Sequence, residues 1–124
     1  MLGKVILWIS ALIFVVYGLM CLFSPALPAG YAGLTMDTGD AFVEIGAMYG
    51  GLQTGFGLFC MFGALRSDFY RPALTSILLL VGGLALGRLY STLTGSEPVG
   101  GYTYGAMTFE FSTAILAGLA LRKA

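Results

Sequence analysis

Four long apolar runs alternate along the chain with three polar or turn-rich breaks. A helix that crosses a membrane needs about 20 mostly apolar residues. The runs at about 3–23, 41–65, 72–94 and 104–121 fit that length. The breaks carry turn chemistry: residues 24–39 hold Pro25, Pro28, Gly30 and Gly33, and residues 95–101 hold Pro98 and a Gly pair. Residues 66–71 are short and charged, and Pro72 suits the first turn of the next helix. The pattern predicts an all-α fold, a four-helix transmembrane bundle forming a single domain over residues 1–124.

The polar flanks give this bundle a direction. Threaded through four spans, Lys4, Arg66, Arg71, Arg122 and Lys123 fall at one face, while the other two loops carry only Asp37, Asp40 and Glu97. The positive-inside rule then puts both termini of this multi-pass chain in the cytoplasm. Tyr31, Tyr90, Tyr102 and Tyr104 form an outer aromatic girdle, and Trp8, Phe69 and Tyr70 an inner one. "PALPAG" offers small residues near a possible signal-peptide cut. The apolar stretch at 5–23 exceeds the roughly 7–15 residues of a signal h-region, so it reads as an anchor.

Composition agrees with a lipid solvent. Hydrophobic residues make up 58% of the 124 and charged residues 10%, against about 45–50% and 25% in soluble domains. A core this small cannot hide that excess. The formal net charge is zero, which leaves no basic face for nucleic acid. The absence of histidine removes the commonest metal ligand and general base, and Ser and Thr have no triad partner. Cys21 and Cys60 lie near the ends of successive runs, hence near opposite faces of the bilayer, too far apart for a disulfide. The methionines are scattered and read as packing. Gly50 and Gly51 lie mid-span with no GK[ST] following, so they do not form a phosphate loop. No cofactor is expected.

Within "LLLVGGLALGRLYSTL", Arg88 stands in a run that is otherwise almost wholly apolar. Apart from Lys4 at the edge of the first run, only Glu44 and Glu110 are also charged inside the runs. Counted from the outer ends at 1.5 Å per residue, Glu44, Arg88 and Glu110 lie about 5, 9 and 9 Å deep. They occupy one layer, so the sequence predicts a buried Glu-Arg-Glu cluster, serving either as a structural pin or as a working site, since a bidentate carboxylate offsets the cost of an Arg inside a span; the alternative is an Arg88 that snorkels unpaired to the outer headgroups. Tyr49 and Gln53 extend this candidate polar site. On the second run Glu44, Ala47, Met48, Gly51 and Gly55 share one helix face, and Gly46, Gly50, Gln53 and Gly57 the opposite one. Gly46–Gly50 and Gly83–Gly87 are small-xxx-small patterns. Gly46, Gly50, Gly51, Gly55, Gly83 and Gly87 are therefore expected at helix contacts, and the second helix at the centre of the packing.

The stretches "FVEIGAMYGGLQTGFGLF", "GLALGRLYS" and "MTFEFSTAILAGLALR" resemble an uncharacterised family of short four-span bacterial membrane proteins, a domain of unknown function that looks distantly DoxX-like. The resemblance rests on Glu44, Tyr49, Gly50, Gly51, Gly87, Arg88 and Glu110. In the family pattern an Arg often stands two residues after the first Glu, where this chain has Gly46. That departure leaves one Arg facing two Glu. The resemblance implies a place in the bacterial inner membrane and no established activity.

Three functions are open to such a chain. The first is a non-enzymatic membrane protein acting through helix packing with itself or a membrane partner, or with lipid. The second is a small-solute or proton-coupled transporter or channel using Glu44, Arg88, Glu110 and Gln53. The inner halves continue such a path only with Gln53, Thr54, Thr75 and Ser76. The third is an enzyme on a lipid-soluble substrate, for which Tyr49 and the two Glu offer acid–base groups but no nucleophile or metal set joins them.

Overall fold

A computed structural model describes all residues, Met1–Ala124. The chain is all-helical, with no strand, and forms five continuous helices: α1 (Leu2–Phe23), α2 (Ala26–Ala32), α3 (39–65), α4 (Ser67–Thr94) and α5 (Gly101–Lys123). Two of them contain a widened π turn, at Gly46–Gly51 in α3 and at Ile77–Val81 in α4. In α3 the Leu52 N–H donates to Ala47 O, five residues back.

α1, α4 and α5 are long and apolar enough to cross a membrane. The second expected span is not among them. Its consecutive pieces of 7, 6 and 14 residues together exceed the roughly 20 that a crossing needs. Its apolar character is diluted by Glu44, Gln53, Thr54 and by glycines at 46, 50, 51, 55, 57 and 63.

The helix ends differ from the pattern for local reasons. α3 starts at Gly39 because Thr38 is extended and its hydroxyl accepts the Ala41 N–H at 3.1 Å, with Asp40 favouring the positive end of the helix dipole. α4 starts at Ser67, so Pro72 sits inside the helix rather than in its first turn. The carbonyl that Pro72 leaves without an N–H belongs to Asp68, which is exposed. The break after α1 is not all loop. It holds α2, which Gly33 ends in the left-handed region (φ 75°), with the Leu34 N–H closing onto Ala29 O at 2.8 Å.

The chain divides into two compact units. In the unit Trp8–Met61, α1 and α3 run antiparallel: Gly57 meets Val15 and Ala11, Thr54 meets Gly18, and Gly50 meets Leu22. A Cβ on Gly50 would stand 2.6 Å from Leu22 Cα, so the two backbones touch where only glycine fits. Phe14 and Phe56 lock the seam edge to face, with centroids 5.0 Å apart. In the unit of Met1–Leu7 and Phe62–Ala124, α4 and α5 run antiparallel. Arg71 reaches Leu121, Leu78 meets Gly118, Gly82 meets Ala114, and Arg88 reaches Glu110. Leu7, Leu74, Ile77, Val81 and Ala85 are buried in this unit, as are Ala114, Ala117 and Ala120 of α5.

The outward surfaces are oily. Leu12, Leu52, Leu79, Leu86 and Ile115 are each about 60% exposed or more. Side chains of this kind gain roughly 1.5–3 kcal/mol each on leaving water, so a lipid surround suits these faces.

Candidate functional site

α4 and α5 bring Arg88 and Glu110 together. Arg88 Nε donates to Glu110 Oε1 at 3.0 Å and Arg88 Nη2 to Oε2 at 2.8 Å, a bidentate fork. The Glu110 side chain is 7% exposed and that of Arg88 27%. The antiparallel register accounts for the match, because each residue lies in the half of its helix next to the 95–100 turn. Small neighbours on α5, Thr113, Ala114 and Ala117, let the α4 backbone come close enough for a short reach. Thr92 Oγ1 donates to Arg88 O at 2.7 Å, tying the Arg88 turn to the next.

Glu44, Tyr49 and Gln53 lie in the other unit. Glu44 is exposed and makes no ion pair, while Tyr49 and Gln53 are half-buried. Tyr49 stands in the π turn of α3, and such turns recur at functional sites. The Thr54 hydroxyl donates to Gly50 O at 2.7 Å beside that turn. No three His, Cys, Asp or Glu residues converge in metal-binding geometry.

The six glycines expected at helix contacts divide. Gly46 and Gly50 are buried, and Gly50 makes the close approach to α1. Gly51, Gly55, Gly83 and Gly87 have nothing within 4 Å of where a Cβ would stand. For these four the expectation of contact within the chain is corrected. A stripe of small residues is buried only where a neighbouring helix lies against it, and α3 presents one of its two stripes to α1.

Two features carried a weak sequence signal. Ser10 is fully buried, and its hydroxyl has no hydrogen-bond partner. A lone serine inside the 5–23 run was the available cue. The second is a cleft of about 510 Å³ at the start of α4, lined in part by Lys4, Arg66, Ser67 and Tyr70. Lys4 and Arg66 bear on orientation in the sequence and Tyr70 on an aromatic girdle, and Ser67 carries no signal there.

Fold and ion pair together define an all-helical protein with membrane-compatible helices, two of them joined by a charged pair. The family model for a domain of unknown function, DUF4345, matches residues 2–121, and the chain belongs to this family. That match carries no link to DoxX-like proteins. No protein with a curated description and no solved structure matches the chain.

Proposed function

We propose that the chain is a four-span protein of the bacterial inner membrane, both ends cytoplasmic, that acts without catalysis through helix packing and contacts with lipid or a membrane partner. α1, α4 and α5 support three of the spans by length and apolar character. α3 supports the fourth by length and by its seam with α1. The one-sided Lys and Arg residues support the orientation.

The observation that carries the non-catalytic reading is the closure of the Arg88–Glu110 pair. Both carboxylate oxygens accept a guanidinium N–H, and Glu110 is almost fully buried. A carboxylate held in this way fixes helix register and is not free for acid–base work.

Glu44 favours a second reading, proton-coupled transport. It is an exposed carboxylate without an ion pair, beside the π turn that carries Tyr49. Native mass spectrometry of protein released gently from membranes separates the two. Retained lipid, a second copy or a protein partner is expected. A discrete small solute or cofactor bound one to one would overturn the packing reading in favour of transport or catalysis.

A further inference from the structure

The cleft at the start of α4 belongs wholly to one unit. Its wall comes from Met1, Lys4, the end of α3 at Gly63, Ala64 and Leu65, and the corner at Arg66, Ser67 and Tyr70. Its volume, about 510 Å³, falls within the roughly 300–1,000 Å³ of small-molecule sites. α1 and α4 touch beside the cleft: a Cβ on Gly3 would collide with the hydroxyl end of Tyr70 and stand 3.1 Å from Leu74 Cδ1. The meeting sets Lys4 beside the α4 corner.

The chemistry on this wall is one-sided. The Arg66 guanidinium is engaged by Asp68 through two hydrogen bonds of 3.2 Å. Lys4 makes no ion pair. The Ser67 and Tyr70 hydroxyls make no hydrogen bond to the protein. A cation and two hydroxyl donors are thus unengaged around a single concavity. The surrounding end is basic as well. Arg71 donates to Leu121 O at 3.2 Å, which brings the start of α4 to the end of α5, where Arg122 and Lys123 follow.

The position in the chain identifies the kind of anion. Lys4 immediately precedes the apolar stretch of α1, and Leu65 immediately precedes the charged corner. The cleft therefore sits where hydrocarbon gives way to headgroups. We propose that it holds the phosphate of an anionic phospholipid, with Lys4 supplying charge and Ser67 and Tyr70 supplying hydrogen bonds. The proposal rests on the membrane reading above and names the lipid class and its seat.

The test uses the full-length protein in neutral detergent. It is titrated with short-chain phosphatidylglycerol, short-chain phosphatidylcholine or inorganic phosphate, and followed by native mass spectrometry and calorimetry. Saturable one-to-one binding of phosphatidylglycerol is expected, at least tenfold tighter than either alternative. The double variant Ser67→Ala/Tyr70→Phe removes two donors and no charge, and should lower affinity on the order of tenfold. Lys4→Gln should lower it by at least as much. Lys123→Gln, outside the cleft, should cost no more than about fivefold, the effect of one charge near an anionic surface. Ser67 is exposed, and Tyr70→Phe removes only the hydroxyl that lies against Gly3 and adds no bulk there, so circular dichroism of the double variant should match the parent.

Parental affinity in a folded double variant would overturn the proposal in favour of a diffuse basic surface. Equal binding of phosphatidylcholine would overturn it as well. Inorganic phosphate binding as tightly as the lipid would replace the lipid with a free anion. Recovery of the expressed protein in the soluble fraction would refute the membrane reading separately, because the micelle titration requires no span.

Discussion

The Arg88–Glu110 pair yields a quantitative expectation. Replacing Arg88 with Leu leaves Glu110, 7% exposed, as a carboxylate with both strong donors removed. Stranding one member of a buried pair costs about 3–5 kcal/mol, mostly the desolvation of the charge left behind. The Arg88 side chain is 27% exposed, so water or headgroups reach the site and the lower end, about 3 kcal/mol, applies. Glu110→Gln leaves a guanidinium that can turn toward its open side and should cost less, about 1–2 kcal/mol. Replacing both, Arg88→Leu with Glu110→Leu, removes attraction and desolvation together and should cost about 1 kcal/mol or less. With Glu110→Leu costing about as much as Glu110→Gln, a cycle closed with Arg88→Leu, Glu110→Leu and the double variant should therefore give a coupling energy of about 3–4 kcal/mol. The assay is reversible unfolding in mixed micelles, titrating sodium dodecyl sulfate against a neutral detergent and following helicity. The exchanged pair Arg88→Glu/Glu110→Arg adds a check, since it should recover part of the loss from Arg88→Glu alone. Losses that add to within about 0.5 kcal/mol would refute the pair as a register lock.

Geometry sets two further outcomes. A Cys introduced at Thr38 should be labelled from outside intact cells by a membrane-impermeant maleimide and one at Ser67 should not, while native Cys21 and Cys60, both buried, stay silent; the reverse pattern would invert the topology. Gly50→Ala should cost about 1–3 kcal/mol, because its Cβ meets the Leu22 backbone at 2.6 Å, whereas Gly51→Ala, with open space around it, should be neutral or stabilise by up to about 1 kcal/mol; equal effects in the same unfolding assay would refute the seam.

Much of the site was legible because the relevant quantities are one-dimensional. Arg88 in an apolar run needs a carboxylate, and the runs offer few. Glu110 could be singled out from its distance to the shared turn, since antiparallel neighbours joined by a short connection meet at equal distances from it. Glu44 lies near the outer end of its own run by the same count, yet it belongs to the other unit and stands exposed without an ion pair. Depth along a helix is fixed by the sequence. The direction a residue faces depends on which neighbour lies alongside.

The helix faces show the same division. The two glycine stripes of α3, read at 3.6 residues per turn, separate accordingly: Gly50 and Gly57 meet α1, while Gly51 and Gly55 stand open. The π turn at Gly46–Gly51 widens the spiral in that stretch and rotates the residues beyond it. Hydrophobic periodicity could not reveal it, because glycine, alanine and methionine are compatible with either spiral.

By itself, then, the sequence determined an all-helical chain, its long apolar segments, and an Arg88 set within one of them, where a carboxylate partner is favoured over an unpaired charge. All of these depend on composition and order along the chain. Only the tertiary structure decided that Glu110 takes both guanidinium bonds, that Gly50 packs while Gly51 does not, and that Lys4, Ser67 and Tyr70 share a cleft. Those outcomes depend on which helix faces meet and at what register, and close approach is set by the sum of contacts across a seam rather than by any one residue in it.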